Sequence, residues 1–237
     1  MLNNVTPELR AVLGKTRLPI VLVNVESDLP VQQVLVDDAA GMRELTEHLL
    51  SIGHRRVTYL IDNPSEAKLP KNLQHYSLRE REQAFRDTMA VAGATETATV
   101  ISMPASEYAD QLMTMPRDQR PTAVICFWHR LAMHLMRLLW ERGLNVPADL
   151  SVAAFNDVEF VADAIPPLTT VAIPNLEMGR RAAMMLKEQI EAASRGGRHV
   201  IEVDNGDSGT SDPAPKRLFL TPHLIVRRST AAPPMLA

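Results

Sequence analysis

The chain predicts an α/β protein built from two parallel-sheet lobes, on three observations. Short apolar runs alternate with amphipathic stretches of helical period, which gives parallel strands joined by right-handed crossover helices. The alternation recurs roughly seven times, too often for one small sheet, so two lobes are expected. Polar residues also stand directly after buried-strand runs. Asn156 and Asp157 do so after Leu150–Phe155, where open α/β sheets hold ligands.

The opening predicts a short helix, with Thr6 as cap, Pro7 and Glu8 in its first turn and Gly14 past its end. Leu18–Val23 follows as a strong buried-strand signal. This abrupt start leads us to expect that earlier elements of the lobe are missing. Val34–Val36 forms a second strand, ending at Asp37 and Asp38. A helix over about 39–52 puts Met42, Leu45, Leu49 and Ile52 on one stripe, with Asp38 as its cap and Gly53 as its stop. Gly53-His54-Arg55-Arg56 reads as a solvated helix end, where positive charge suits the dipole.

Val57–Ile61 is the next strand. The long loop 62–76 reads as functional or mobile. A helix is expected over about 77–92, a strand at 98–101 and a helix around 106–113. Pro121–Phe127 is a strand ending at Trp128 and His129. The helix that runs on to Arg142 presents Leu131, Leu135, Leu138 and Leu139, a face for the core or for a subunit contact. Gly143 stops it. Pro166 and Pro167 stiffen the approach to the strand Leu168–Val171. A helix over about 176–193 follows, capped by Asn175 and packed through Met178, Ala182, Met185, Leu186 and Ile190. Residues 194–216 read as a mobile loop. Short strands are expected at 217–220 and 223–226, then a solvated end at Arg227–Thr230 and a disordered tail.

The chain has 237 residues, a net charge of −3 and 46% hydrophobic content, the profile of a globular domain without the basic excess of a nucleic-acid binder. Its single cysteine, Cys126, rules out an internal disulfide and fits a reducing compartment. With no secretory signal and no run near the roughly 18 apolar residues of a membrane span, a cytoplasmic protein without membrane contact is expected.

No enzyme is expected. The glycines form neither a dinucleotide loop nor a nucleoside-triphosphate loop, and no nucleophile elbow or paired-histidine zinc motif occurs. Cys126 reads as a buried strand-end cysteine rather than a nucleophile served by His129. The run Asp204–Asp207 lacks the closing glutamate of a calcium loop. Catalytic residues, metal sites and cofactors are therefore all expected to be absent.

Several pieces, in order and spacing, carry a resemblance. They are Gly53-His54-Arg55-Arg56, Arg81 with Phe85 and Gly93, and Pro121-Thr122-Ala123. Gly143 through Ser151, Pro166-Pro167-Leu168-Thr169-Thr170 and Leu224–Thr230 complete the set. From about Leu18 to Thr230 the chain resembles the LacI/GalR family of bacterial transcriptional regulators. The resemblance implies a periplasmic-binding-protein-like fold with a small molecule between its lobes, a sugar or sugar derivative by analogy. It implies a homodimer, and operator binding only through a helix-turn-helix headpiece, which is missing here along with the first part of the N-terminal lobe. The implied division is 1–54 and 173–196 for the partial N-terminal lobe, 55–172 and 197–230 for the C-terminal lobe, and 231–237 for a tail. Hinge strands are expected near Gly53–Val57 and Thr170–Asn175.

Four effector-contacting residues follow by position. Arg81 matches the family's effector-contacting arginine, its bland alternative being a surface helix arginine. Asn156 stands where the family usually has an aspartate, with Asp157 after it. Trp128 and His129 replace a usual Asn-Asp pair. Trp128 either stacks on a ligand face or packs the wall. The dimer face is expected to use Leu131, Leu135, Leu138 and Phe160. Two other readings compete: a solute-binding protein of a transport system, and a degenerate remnant without ligand.

Overall fold

The computed structural model describes residues 7–13, 16, 18–62, 74–194 and 216–234. In chain order its elements are α1 (Pro7–Leu13), β1 (Val21–Val23), β2 (Gln32–Val36), α2 (Asp38–Ser51), β3 (Val57–Ile61) and α3 (Tyr76–Val91). Then come β4 (Ala98–Ser102), α4 (Ala105–Thr114), β5 (Ala123–Cys126), α5 (His129–Glu141) and β6 (Ser151–Phe155). The chain closes with α6 (Glu159–Ala162), β7 (Thr169–Ala172), α7 (Asn175–Ser194), β8 (Arg217–Leu220) and β9 (His223–Ile225). Residues 63–73 of the expected loop 62–76, residues 195–215 of the expected loop 194–216, the Thr6 cap and the last residues 235–237 lie outside the described residues.

Contacts divide the chain into two compact units, Met1–Asp37 with Pro174–Leu220, and Asp38–Ile173 with Thr221–Ala237. This corrects the expected boundaries at 54 and 196. Helix α2 packs on α3, β7 and β9, and so belongs to the second unit. Strand β8 pairs with β2, and so belongs to the first. The segment Gly53–Val57, expected as a hinge, therefore lies inside the second unit.

The first unit holds a parallel sheet in the order β1-β2-β8, with α7 against it. The strong strand signal at Leu18–Val23 yields only three residues of strand, because it lies at the sheet edge; Leu18 is 71% exposed. Gln189 of α7 serves that edge, its Oε1 accepting from Ile20 N at 3.2 Å and its Nε2 donating to Ile20 O at 3.2 Å. Met178 and Met185 are buried as expected, but Ile190 is half exposed and Gln189 takes the inward place.

The second unit is a sheet in the order β4-β3-β5-β6-β7-β9, parallel except for β9. Strand alternation sorts its side chains. Val57, Tyr59 and Ile61 face α2 and α3, meeting Leu45, Leu49 and Phe85. Leu60, Val124 and Cys126 face α4 and α5, meeting Leu112, Leu135 and Leu139. Gly41 allows α2 to approach closely, since a Cβ there would stand 2.8 Å from Pro222 Cγ and 2.9 Å from Val171 Cγ1.

Three expectations are corrected by this packing. Leu131, Leu135 and Leu138, expected at a subunit face, are 2%, 0% and 6% exposed, because the apolar stripe of α5 is consumed by its own sheet. Phe160 remains outward at 53%. His54, expected in a solvated helix end, is fully buried. Its Nε2 donates to Ala231 O at 2.8 Å, and its ring also meets Thr122 Oγ1 at 2.8 Å and Ser151 Oγ at 3.1 Å. The expected solvated end at Arg227–Thr230 is built in. Ser229 is fully buried, its Oγ donating to Val152 O and accepting from Thr169 N.

Candidate functional site

At the carboxyl edge of the second unit's sheet, β3 runs into Asp62, β5 into Phe127 and Trp128, and β6 into Asn156 and Asp157. Strands β3 and β6 end where their apolar runs end, which leaves the next polar side chains at the rim, whereas β5 leaves the aromatic Phe127 and Trp128 there.

Arg81 reaches this edge from α3. Its Nε donates to Asp38 Oδ1 at 2.6 Å and its Nη1 to Phe127 O at 2.8 Å. The guanidinium lies 3.7 Å from the Phe155 ring centroid and 4.9 Å from that of Phe127. Arg81 is only 4% exposed, so the surface-helix reading fails and the residue is a buried ion pair. Among the described residues Asp38 Oδ2 is buried without a hydrogen-bond partner.

Trp128 stands just ahead of α5 in extended backbone, and its Nε1 donates to Asp62 Oδ2 at 3.1 Å. The Arg130 guanidinium lies 5.8 Å from its ring centroid. Next to it, His129 meets Phe160 edge-on at 5.4 Å. Burial, then the neighbouring Arg130 charge, holds His129 below the usual imidazole range.

Asn156 has φ 72°, the left-handed region that asparagine tolerates better than most residues. Its backbone N–H donates to Val171 O at 3.0 Å. Its side chain forms no hydrogen bond among the described residues, and remains available. Asp157 is held from two sides: Thr170 Oγ1 donates to Oδ1 at 2.6 Å, and Arg227 Nη1 donates to the same oxygen at 2.6 Å. Burial opposes the Asp157 charge, but the Arg227 and Thr170 hydrogen bonds outweigh it and keep the carboxyl below the ordinary range.

All four sequence-predicted residues thus lie at or beside one edge of the second unit. The partners Asp38, Asp62 and Arg227 escaped sequence reasoning. Asp38 read as a strand end and helix cap, Asp62 as the start of a loop, and Arg227 as tail. The edge offers hydrogen bonds and an aromatic face rather than a poised acid and base. Among the described residues no group of three or more His, Cys, Asp or Glu is placed to hold a metal. No helix among them is long and apolar enough to cross a membrane.

Residues 46–230 match the periplasmic binding protein-like domain. The arabinose metabolism transcriptional repressor of Geobacillus stearothermophilus is 30% identical over 223 residues, covering 92% of this chain and 55% of the repressor. The HTH-type transcriptional repressor PurR of Vibrio atlanticus is 29% identical over 195 residues, covering 81% of this chain and 56% of its own. Among solved structures, a LacI transcriptional regulator from a Rhodococcus species matches with TM-score 0.68 and 27% identity, over 98% of this chain and 78% of that one. A LacI family regulator from Enterococcus faecium, solved with bound ribose, shares the fold at TM-score 0.75 and 20% identity, over 96% of this chain and 76% of its own. The chain belongs to the periplasmic binding protein-like family, among relatives that are LacI-type transcriptional regulators. It spans about half the length of the curated relatives it matches.

Proposed function

We propose that these residues form the effector-binding and dimerisation region of a LacI-type transcriptional regulator. The observation that carries the reading is the near-full-length match of this chain to repressors of that kind. Operator contact is assigned to a helix-turn-helix headpiece outside these 237 residues. The effector is a sugar or sugar derivative, in keeping with the ribose held by a fold relative. Asn156 would hydrogen-bond its hydroxyls and the Trp128 ring would stack on its face. Arg81 and Asp157 act as positioning residues, because Asp38 and Arg227 already hold them. A ligand with unequal affinity for two arrangements of the protein shifts their balance, and it would change operator affinity by the same factor as the operator changes its own. For dimerisation the exposed Phe160 and Ile165 (53% and 96%) replace the buried leucines of α5 as the proposed contact.

A thermal-shift screen against neutral sugars, sugar acids, sugar phosphates and nucleobases tests the site, with Asn156→Ala alongside. A ligand present at a hundred times its Kd adds about 2.7 kcal/mol. For a domain of this size that is about 5–10 °C. The reading expects one sugar-like compound to shift the parent and to lose that effect in the variant. A panel that shifts neither protein, or a sugar that shifts both equally, would overturn it.

A further inference from the structure

We propose a second small-molecule site at the opposite, amino-terminal edge of the second unit's sheet, made for a small monocarboxylic acid with an apolar body. Arg56, Thr122 and Leu150 immediately precede β3, β5 and β6, whereas Trp128 and Asn156 follow β5 and β6. Strands of this length keep the two edges about 15 Å apart at ~3.3 Å per residue. The new site is therefore separate from the carboxyl-edge groups and does not rest on the function proposed for them.

A pocket of about 340 Å³ opens there, its apolar wall formed by Leu112, Leu144 and Leu150. That volume suits a small ligand. A second pocket of about 210 Å³ shares Arg56 and Pro121 with the first and is lined by Thr58, Thr99, Tyr108 and Gln111. Arg56 thus stands between an apolar chamber and a hydroxyl-bearing one.

The guanidinium is aimed in advance. Arg56 Nε donates to Arg120 O at 2.8 Å. Arg120 is fixed in turn, its Nε donating to Met115 O at 2.9 Å and its Nη2 to Met113 O at 3.2 Å, at the end of α4. Among the described residues the terminal nitrogens of Arg56 have no hydrogen-bond partner. A planar donor fork with its stem fixed suits a carboxylate, and loses little freedom on binding one.

Charge sets the valence of the ligand. The first pocket is lined by Arg56, Arg117 and Arg120 against Asp118 and Asp149, and Asp149 already accepts from Asn145 N at 2.7 Å. That excess of one positive charge in the first pocket, with the acidic Glu96 on the other side of Arg56, matches a monoanion and disfavours a phosphate ester. In the second pocket the Tyr108 hydroxyl is buried beside Thr58 without a well-formed hydrogen bond.

Saturation-transfer NMR titrations of benzoate and its uncharged isostere benzamide test the site. They would use the parent, Arg56→Gln, Leu144→Trp and Asn156→Ala, each checked for a cooperative melt. Benzoate is expected to bind the parent and to weaken about tenfold in both Arg56→Gln and Leu144→Trp, the loss of one charge-assisted bond or of the apolar chamber. Benzamide should bind the parent about tenfold more weakly than benzoate, and Asn156→Ala should leave benzoate unchanged. If Arg56→Gln does not fold, Leu144→Trp and the benzamide comparison still decide. No benzoate binding up to about 10 mM would overturn the proposal. So would equal benzoate affinity in the parent and Leu144→Trp, or loss of binding in Asn156→Ala.

Discussion

Replacing Asp38 by asparagine keeps the shape of the side chain and removes its charge. In the parent, Asp38 Oδ1 accepts from Arg81 Nε at 2.6 Å, and the two side chains are 0% and 5% exposed. The variant leaves a guanidinium in the interior with Phe127 O at 2.8 Å and the rings of Phe155 and Phe127 as its remaining partners. Breaking a buried pair from one side costs about 3–5 kcal/mol. The asparagine oxygen can still accept from Arg81, and stacking on aromatic rings retains up to about 2 kcal/mol of attraction for the cation. The lower end, about 3 kcal/mol, is therefore expected. For a domain of this size that lowers the melting temperature by about 6–12 °C. Far-UV circular dichroism melts read it directly. The double variant Asp38→Asn with Arg81→Met should recover part of the loss, since it no longer buries an unpaired charge. A drop under about 2 °C in the single variant, or a double variant less stable than the single, would refute the reasoning.

Leu135→Asp should abolish cooperative unfolding, because it puts a charge into a fully buried core position. Ile165→Asp, at a site 96% exposed, should leave the melt within about 2 °C of the parent and halve the mass in light scattering. Burial, helped by the nearby His48, holds His54 below the usual imidazole range, so the unfolded chain takes up its proton first as pH falls. Stability is therefore full above the unfolded value near 6.5 and declines as pH drops below it. Urea titrations from pH 7.5 to 5 should show this decline, weakened in His54→Gln though not removed, because His48 and His129 are shifted in the same direction by burial. Cys126 is fully buried, and burial pushes its thiol up. A thiol reagent should label it only in denaturant; rapid labelling of the folded chain would count against this core.

Much of the second unit was legible because its strands are buried on both faces. Val57–Ile61 and Leu150–Phe155 are nearly continuous apolar runs, which a sequence displays openly. Less legible was any position whose burial depends on a distant segment. His54 follows a helix and looks solvated, until the carbonyl of Ala231, far along the chain, folds back to accept its hydrogen bond. Arg227 looks like tail chemistry until Asp157, which lies 70 residues earlier, receives it. The α5 leucines were visible as an apolar face, but periodicity cannot say whether a sheet or another subunit covers that face. At the candidate site the same limit applied. Trp128, Asn156 and Asp157 could be placed at strand ends by pattern, and Arg81 only by the family resemblance. The aspartates that neutralise or tether them lie on other elements and announce nothing locally.

Those internal pairings bear on what the carboxyl edge can select. A buried arginine is usually the group that attracts an anionic ligand, but Asp38 already offsets Arg81. Asp157 is likewise offset by Arg227, and Asp62 is engaged by the neutral Trp128 indole. An acidic effector arriving at this edge would lose hydration and find Arg81 and Arg227 already committed, leaving it only the exposed, well-hydrated Arg130 beside Trp128, while Asp62 would repel it. A neutral polyol would meet the Asn156 amide and an aromatic face at no such cost. Neutral sugars are therefore expected to bind at least about tenfold more tightly than the matching sugar acids, a difference of about 1.4 kcal/mol. Isothermal titration of aldose and aldonic-acid pairs at low salt measures it, low salt giving the acid its best chance. Tighter binding of the acid would mean that Arg81 leaves Asp38 when a ligand arrives. The acid's advantage should then grow in Asp38→Asn, where the arginine is released from its partner.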